Sequence, residues 1–290
     1  MKQAMYYESL EDESVLCVLC PHQCRIAKNQ WGRCGVRQNQ DGMLVTWNYE
    51  KLVSLSLDPI EKKPLRRYKP GSWILSAGTF GCNMVCPFCQ NYTIARAKPD
   101  ELPFTTMTAE NLVSYAEKSA LEDGNIGLAF TYNEPTVWYE YVLETARLAK
   151  KAGLDVVLVS NGLIAEEPLQ NLLPYIDAMN IDLKSFQESV YKQTLQGDLA
   201  TVLRSIEQVQ KKVHLEVTTL IVPGMNDGEE EIEAIAGFLS NISPDIPLHI
   251  SRFFPHYLMQ NVPATEIGVI FKAVEIAKKH LRYVYSGNVS

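Results

Sequence analysis

The sequence predicts an α/β fold: a parallel sheet curled into a partial (β/α)6 barrel, preceded by a small Cys-rich N-terminal segment. Three observations lead there. From residue 73 onward, apolar strand-like runs alternate with helical periodicity, a pattern that demands parallel strands joined by right-handed crossovers. Polar and turn motifs follow one strand after another, at the end where such folds gather their sites. The seven cysteines fall into two groups with none left over: Cys17, Cys20, Cys24 and Cys34, then Cys82, Cys86 and Cys89. The expected division is residues 1–72 for the Cys-rich segment with its short strands, and 73–290 for the barrel.

Taken in order, residues 1–44 are rich in Cys, Gln and Asn with little periodic pattern, and 45–72 read as short strands and a basic loop, Glu61-Lys-Lys-Pro-Leu-Arg-Arg-Tyr-Lys-Pro-Gly71. Strands are expected near 73–79, 125–131, 154–160, 177–183, 213–221, 246–252 and 282–286. Helices are expected near 108–121, 136–152, 165–173, 187–211, 228–241 and 264–280. The 136–152 helix carries Val137, Tyr141, Ala146 and Leu148 with charges between them, as a half-buried helix should, and Gly153 supplies its stop. Six motifs then share one face. Cys82 to Cys89 follow the first strand, Asn133-Glu134-Pro135 the second, and Asn161-Gly162 the third. Asp182-Leu-Lys184, Val222-Pro223-Gly224 and His249 to Arg252 end the next three.

Composition is ordinary for a globular protein, 46% hydrophobic and 21% charged. A net charge of −7 argues against a nucleic-acid surface, which needs a basic field. No apolar run reaches the length of a membrane span, and the N-terminus lacks the apolar core of a signal peptide. A cytoplasmic protein is expected, and in a reducing compartment clustered cysteines point to metal and not to disulfides.

The second Cys group carries the chemistry. Gly81-Cys-Asn-Met-Val-Cys-Pro-Phe-Cys-Gln-Asn91 spaces its thiols C-x3-C-x2-C, so one loop can wrap an iron–sulfur cubane. Three ligands leave one of four irons open. A structural zinc would need a fourth ligand, and no His or Cys follows within about forty residues. Buried thiols used as small hydrophobes would not be flanked by the loop formers Gly81, Asn83, Pro87 and Asn91. This spacing, with Phe88 before the last Cys, resembles the signature of the radical S-adenosylmethionine (SAM) superfamily. The resemblance implies a 4Fe–4S cluster whose open iron chelates SAM. It also implies reductive cleavage of the sulfonium to methionine and a 5′-deoxyadenosyl radical, with an electron donor of the flavodoxin or ferredoxin type.

The same resemblance assigns cofactor-binding roles. Asn133-Glu134-Pro135-Thr136 stands where the superfamily usually carries Gly-Gly-Glu-Pro. Glu134 is expected near the SAM ammonium, although a carboxylate at this turn also suits a helix start. Asp182 and Lys184 lie two apart on a strand and so share a face; a zwitterionic ligand would justify both charges. Phe88 matches a position near the adenine, and Leu220-Ile-Val-Pro-Gly-Met-Asn-Asp227 a turn on the adenine side. Asn161 and His249 complete the expected set, His249 also reading as a satisfied core histidine.

Cys17-x2-Cys20-x3-Cys24-x9-Cys34 is expected to hold a second metal centre, either an auxiliary 4Fe–4S cluster or structural zinc. Either would staple a segment too small to fold alone. Longer motifs narrow the resemblance: Cys17-Val-Leu-Cys-Pro-His-Gln-Cys24, Gly32-Arg-Cys-Gly-Val-Arg-Gln-Asn39, Asp58-Pro-Ile-Glu-Lys-Lys-Pro-Leu65, Thr131-Tyr-Asn-Glu-Pro-Thr136, Asn180-Ile-Asp-Leu-Lys184, His249-Ile-Ser-Arg-Phe-Phe-Pro255 and Tyr285-Ser-Gly-Asn288. Together they resemble the radical SAM enzyme of the AmmeMemoRadiSam system, a relative of pyruvate formate-lyase-activating enzymes. Many such relatives extend into a Cys-Pro-x-Cys tail, whereas this sequence stops at Ser290; a function lodged there is expected to be missing or supplied by a partner. Three functions are weighed: hydrogen abstraction from a small molecule or peptide, activation of a glycyl-radical enzyme, and non-catalytic electron carriage. Extra cysteines placed before the C-x3-C-x2-C motif weigh against the second, and a carrier has no need of an open iron.

Overall fold

A computed structural model describes residues 1–289. Its centre is an eight-stranded open sheet: β1 Ser54–Pro59, β2 Trp73–Gly78, β3 Asn125–Phe130, β4 Asp155–Ser160, β5 Ala178–Asp182, β6 His214–Ile221, β7 Leu248–Arg252 and β8 Val284–Gly287. Strands β2 to β8 are parallel neighbours in chain order, and β1 adds to β2 antiparallel. Six crossovers carry α1 Ala109–Asp123, α2 Tyr139–Lys151, α3 Glu166–Leu172, α4 Leu199–Gln210, α5 Glu229–Ile242 and α6 Ile267–Ala277. The expected partial (β/α)6 barrel is therefore present, with an extra strand at each edge. Among the described residues no helix is long and apolar enough to cross a membrane.

Local chemistry sets the helix limits. Thr108 caps α1 by accepting from the Asn111 amide (3.2 Å), and Gly124 ends it in the left-handed region. One expected element differs. The 187–211 helix is broken into a π-helical turn, Val190–Leu195, and α4. Gln196 turns left-handed (φ 50°), and Asp198 then caps a fresh helix through the Thr201 amide (2.8 Å). The Gly197-Asp198 pair carries this stop-and-restart signal. The break brings the Tyr191 hydroxyl to the Lys184 amide (3.1 Å) and the Leu195 carbonyl to the Val85 amide (3.0 Å).

The basic loop after β1 forms a barrel floor: Ile60, Lys63 and Leu65 are buried, while Lys62, Arg66, Arg67 and residues 69–71 stay exposed. Ile60 and Leu65 pack with Ile74, Ala129, Val157 and Ala178 inside the N-terminal end of the barrel. The Asn180 amide donates to the Pro64 carbonyl (2.8 Å), and the backbone amides of Arg66 and Arg67 donate to Glu216 (3.0 and 2.6 Å). Lys63 is buried because Asp58 accepts from it at 2.8 Å, and the Arg66 and Arg67 guanidinium groups lie over the rings of Tyr285 in β8 and of Tyr283 just before it. The floor thus bridges the two open edges of the sheet.

Residues 1–46 form two small antiparallel sheets. One pairs Tyr7–Ser9, Val15–Cys17 and Arg25–Ile26; the other pairs Lys2–Gln3, Met43–Thr46 and Arg37–Gln40. Ladders this short show no period in the sequence. Val15, Cys17, Leu19, Ile26 and Leu44 join the same continuous core as the barrel. Helix α2 is more buried than half: Arg37 from the N-terminal sheets pairs with its Glu140.

Candidate active site

The loop after β2 carries Cys82, Cys86 and Cys89 over the C-terminal mouth of the barrel. Gly81 must be glycine: its φ is 93°, and a Cβ there would sit 2.4 Å from Val36 Cγ1 and 3.0 Å from the Cys34 carbonyl. Asn133, which stands in place of a glycine at the β3 turn, clasps this loop. Its Oδ1 accepts from the Thr79 amide (3.1 Å) and its Nδ2 donates to the Gly81 carbonyl (2.9 Å). Tyr132 beside it takes φ 74°, a costly conformation for a bulky residue. Its hydroxyl donates to Asp58 (2.7 Å), and its carbonyl accepts from Asn91 (2.7 Å).

One cavity of about 280 Å³ lies beneath the loop. Lining it are Cys82, Cys86, Phe88, Cys89, Asn133, Glu134, Asn161, Asp182 and Lys184, so these expected residues meet in one place. Tyr132, Ser160, Thr218 and Asn288 also line it, and the sequence reading gave them no role. Strand alternation could have found Thr218, which shares a face with Leu220 two residues on. His249 does not line the cavity. It faces the barrel interior one layer deeper and donates to Glu216 (2.6 Å), the carboxylate that also takes His214 Nε2 at 3.0 Å. Its alternative reading as a satisfied core histidine describes this position.

Electrostatics in the cavity are paired. Lys184 Nζ donates to Asp182 Oδ2 at 3.0 Å and sits 6.0 Å from the Phe88 ring centre. Burial opposes the Lys184 charge, yet the Asp182 carboxylate holds its pKa above the usual lysine value. Burial likewise pushes the Cys86 thiol up to about 11, against the pull of the Lys184 ammonium. Cys82 is raised by burial and by the nearby Glu134 carboxylate. Glu134 is raised by burial although three donors hold it: the Thr136 amide (2.9 Å), Ser160 Oγ (2.8 Å) and the Asn161 amide (2.8 Å). It therefore caps the turn into α2 while its carboxylate borders the cavity. Asn161 in turn places Nδ2 3.8 Å from Cys82 Sγ and 2.9 Å from Asn83 Oδ1.

The donor set fits a thiolate-bound cluster with a charged organic ligand beside it. Three soft sulfur donors converge on one wall, and a facing ammonium–carboxylate pair matches the two charges of an amino acid. The family model described as the Radical SAM superfamily matches residues 77–239, from the end of β2 into α5. The chain belongs to the radical SAM superfamily. Membership implies a 4Fe–4S cluster and SAM as cofactors, and radical SAM proteins are enzymes. An uncharacterised protein of Methanocaldococcus jannaschii is 40% identical over 292 residues, spanning all of this chain and 86% of its own length. The pyruvate formate-lyase-activating enzyme of Clostridium pasteurianum is 24% identical over 170 residues, 56% of this chain and 67% of its own. Among solved structures, Streptococcus suis SuiB bound to S-adenosylmethionine superposes with a TM-score of 0.58 at 11% identity. The match covers 74% of this chain and 52% of that one, and it is a likeness of fold.

Proposed function

We propose that this radical SAM enzyme binds SAM in the mouth cavity, with a 4Fe–4S cluster held by Cys82, Cys86 and Cys89, and abstracts hydrogen from a substrate entering the same mouth. The observation that carries the assignment is the meeting of three thiols with the Asp182–Lys184 pair in one cavity. When bound, the cluster supplies the electron that splits the SAM sulfonium. The protein's own residues bind, orient and exclude water. Lys184 would take the carboxylate of the methionine end and Asp182 or Glu134 its ammonium, charge-assisted contacts that fix the cofactor's orientation. Phe88 would pack against the adenine. The floor built by residues 60–67 closes the opposite end of the barrel, so ligands and water exchange through the mouth. Anaerobic reconstitution with SAM and dithionite tests the reading: 5′-deoxyadenosine is expected, and none from a cluster-loaded protein would leave an electron carrier in its place.

An activase function is the second reading, favoured by the similarity to an enzyme named as activating pyruvate formate-lyase. The 253–259 segment supports it, because its Leu258 is 71% exposed while the Leu258 amide donates to Pro87 of the cluster loop (3.0 Å), placing apolar surface beside the site. That reading requires a glycyl-radical signal on a partner chain and SAM consumption that stops once the partner is converted. Sustained turnover on a small molecule overturns it. We assign the reductant to the flavodoxin or ferredoxin class and the enzyme to the cytoplasm, where its seven unpaired thiols stay reduced. Cys17, Cys20, Cys24 and Cys34 we assign to a second metal centre, iron–sulfur or zinc, tested by metal analysis of a Cys82/Cys86/Cys89→Ala variant.

A further inference from the structure

The turn after β4, Asn161-Gly162-Leu163, meets the cluster loop through two buried amide side chains, those of Asn83 and Asn161. The backbone of Leu163 fixes how both are turned. Its amide donates to Asn161 Oδ1 (2.8 Å), and its carbonyl accepts from Asn83 Nδ2 (2.8 Å). A side-chain amide has one oxygen acceptor and two N–H donors. Asn83 therefore presents Oδ1 to Asn161, and Asn161 presents Nδ2 in return, at 2.9 Å. Flipping Asn161 would set oxygen against oxygen at Asn83 and N–H against N–H at Leu163, in a place with little water to relieve either. With its orientation decided, Asn161 has one N–H left, and Cys82 Sγ lies 3.8 Å from that nitrogen.

The turn that carries this donor is rigid. Gly162 takes φ 72°, and a Cβ there would sit 3.0 Å from Ile181 Cγ2. Its amide donates to Ser160 Oγ (3.1 Å), and its carbonyl accepts from Ser205 Oγ (2.8 Å). The backbone amide of Asn161 is held by Glu134 (2.8 Å). A donor fixed in advance needs no reordering when charge develops on its acceptor. Cys82 also takes the Met84 amide (3.4 Å), a backbone donor that every residue except proline supplies. The side-chain donor is what asparagine at 161 adds.

Resting on the reading of a 4Fe–4S cluster at Cys82, Cys86 and Cys89, we propose that Asn161 is a positioning residue for that cluster: its Nδ2 donates an N–H···S hydrogen bond to the Cys82 thiolate and raises the cluster's reduction potential. Reduction adds a negative charge to the cluster, so a donor on its sulfur favours the reduced form.

The test is a redox titration of the full chain, reconstituted anaerobically with iron and sulfide and read by electron paramagnetic resonance. The signal followed is the one that SAM perturbs in a parallel sample, which separates it from any metal at the N-terminal thiols. Asn161→Ser keeps an oxygen for the Leu163 amide, as a serine turn does, but is too short to reach Cys82. Its reduced cluster should become about tenfold scarcer at a fixed potential, a fall of about 59 mV for one electron. Asn161→Asp puts an oxygen where Nδ2 stands and should lower the midpoint further. A residue that merely holds the turn would change cluster content and leave the midpoint alone, so an unchanged midpoint in both variants overturns the role of Asn161. A parent without a SAM-responsive cluster overturns the cluster reading as well. Whether or not the variants take up iron, pulsed resonance on the reduced parent labelled with 15N at asparagine side chains should find a 15N coupling to the cluster. Among the described residues Asn161 is the one asparagine whose side chain donates to a cluster thiol, so absence of that coupling overturns the contact.

Discussion

The two thiol sites stand one peptide apart and differ in almost every physical respect. Cys82 lines the mouth cavity and its neighbour Asn83 lines the N-terminal one. The mouth cavity is roomy, about 280 Å³ against about 20 Å³. It has three thiols and an ion pair whose members keep part of their surface in solvent, 15% for Lys184 and 34% for Asp182. The N-terminal cavity has four thiols, an apolar wall and an ion pair that is almost wholly buried. Three thiols beside open space suit a site that must admit another molecule. Four thiols in a closed pocket suit one that must exclude it. His22, donating to the Asn83 carbonyl at 2.7 Å, and Gly81, pressed against Val36 and Cys34, hold the two together.

The largest effect should come from Cys86→Ala, which leaves two of the three proposed cluster ligands in the mouth. SAM cleavage, read as 5′-deoxyadenosine released under dithionite, should fall to background while far-ultraviolet circular dichroism stays that of the parent. Cleavage retained in a well-reconstituted variant would erase the functional difference between the sites.

Lys184→Met comes next. It keeps the apolar stem but removes the charge proposed to meet the SAM carboxylate. Losing one charged hydrogen bond costs about 1.5–3 kcal/mol, or about ten- to hundredfold in SAM affinity by calorimetry. Asp182 keeps substantial solvent contact, so the fold should lose less than the ligand does. Normal affinity would mean that the cofactor's charges are met elsewhere in the cavity.

How far these features could be read beforehand divides along the same line. All seven parallel strands lie where apolar runs mark them, because a strand buried on both faces writes itself as a continuous apolar segment. The mouth was legible too, since its thiols lie within eight consecutive residues and the fold class puts strand ends together. What joins distant segments was not. Nothing in Val36-Arg37-Gln38 announces a guanidinium buried against Glu140, because exposure is the default for arginine. The run from Glu61 to Gly71 looks like a solvated basic loop, yet Asp58, Glu216 and two tyrosine rings absorb its charges and amides. His249 has a strand position that alternation turns inward, but only the position of Glu216 decides its depth. The Gly197-Asp198 break carried a local signal and could have been found.

A smaller effect on SAM chemistry is expected from Cys20→Ala, which should abolish the proposed second metal centre. Metal sites of this kind contribute folding energy directly, so residues 1–44 should become sensitive to limited proteolysis while the barrel resists. SAM cleavage should change by less than about tenfold, or about 1.4 kcal/mol of barrier, because no mouth residue is removed. Loss of cleavage as complete as in Cys86→Ala would make the sites one functional unit.

The smallest effect on either thiol site belongs to the barrel floor, where Glu216→Gln should alter stability and its pH dependence but leave SAM affinity at the parent value. Burial alone would raise the pKa of this carboxyl, but His214, His249 and the Arg67 amide outweigh it and hold the group down to about 2, against an ordinary 4.5. A depressed folded-state pKa means that the ionised form is favoured by folding. Its stabilisation is fully present above pH 4.5 and drains away as the pH falls towards 2. The difference corresponds to about 3 kcal/mol. Urea unfolding between pH 6 and 3 should therefore show a steeper loss for the parent than for the variant, with the variant less stable at pH 6. Equal slopes would mean that Glu216 is not the carboxylate that fastens the floor. A parallel loss of SAM affinity would mean that floor and mouth are coupled through β6, whose Thr218 reaches the cavity two residues above Glu216.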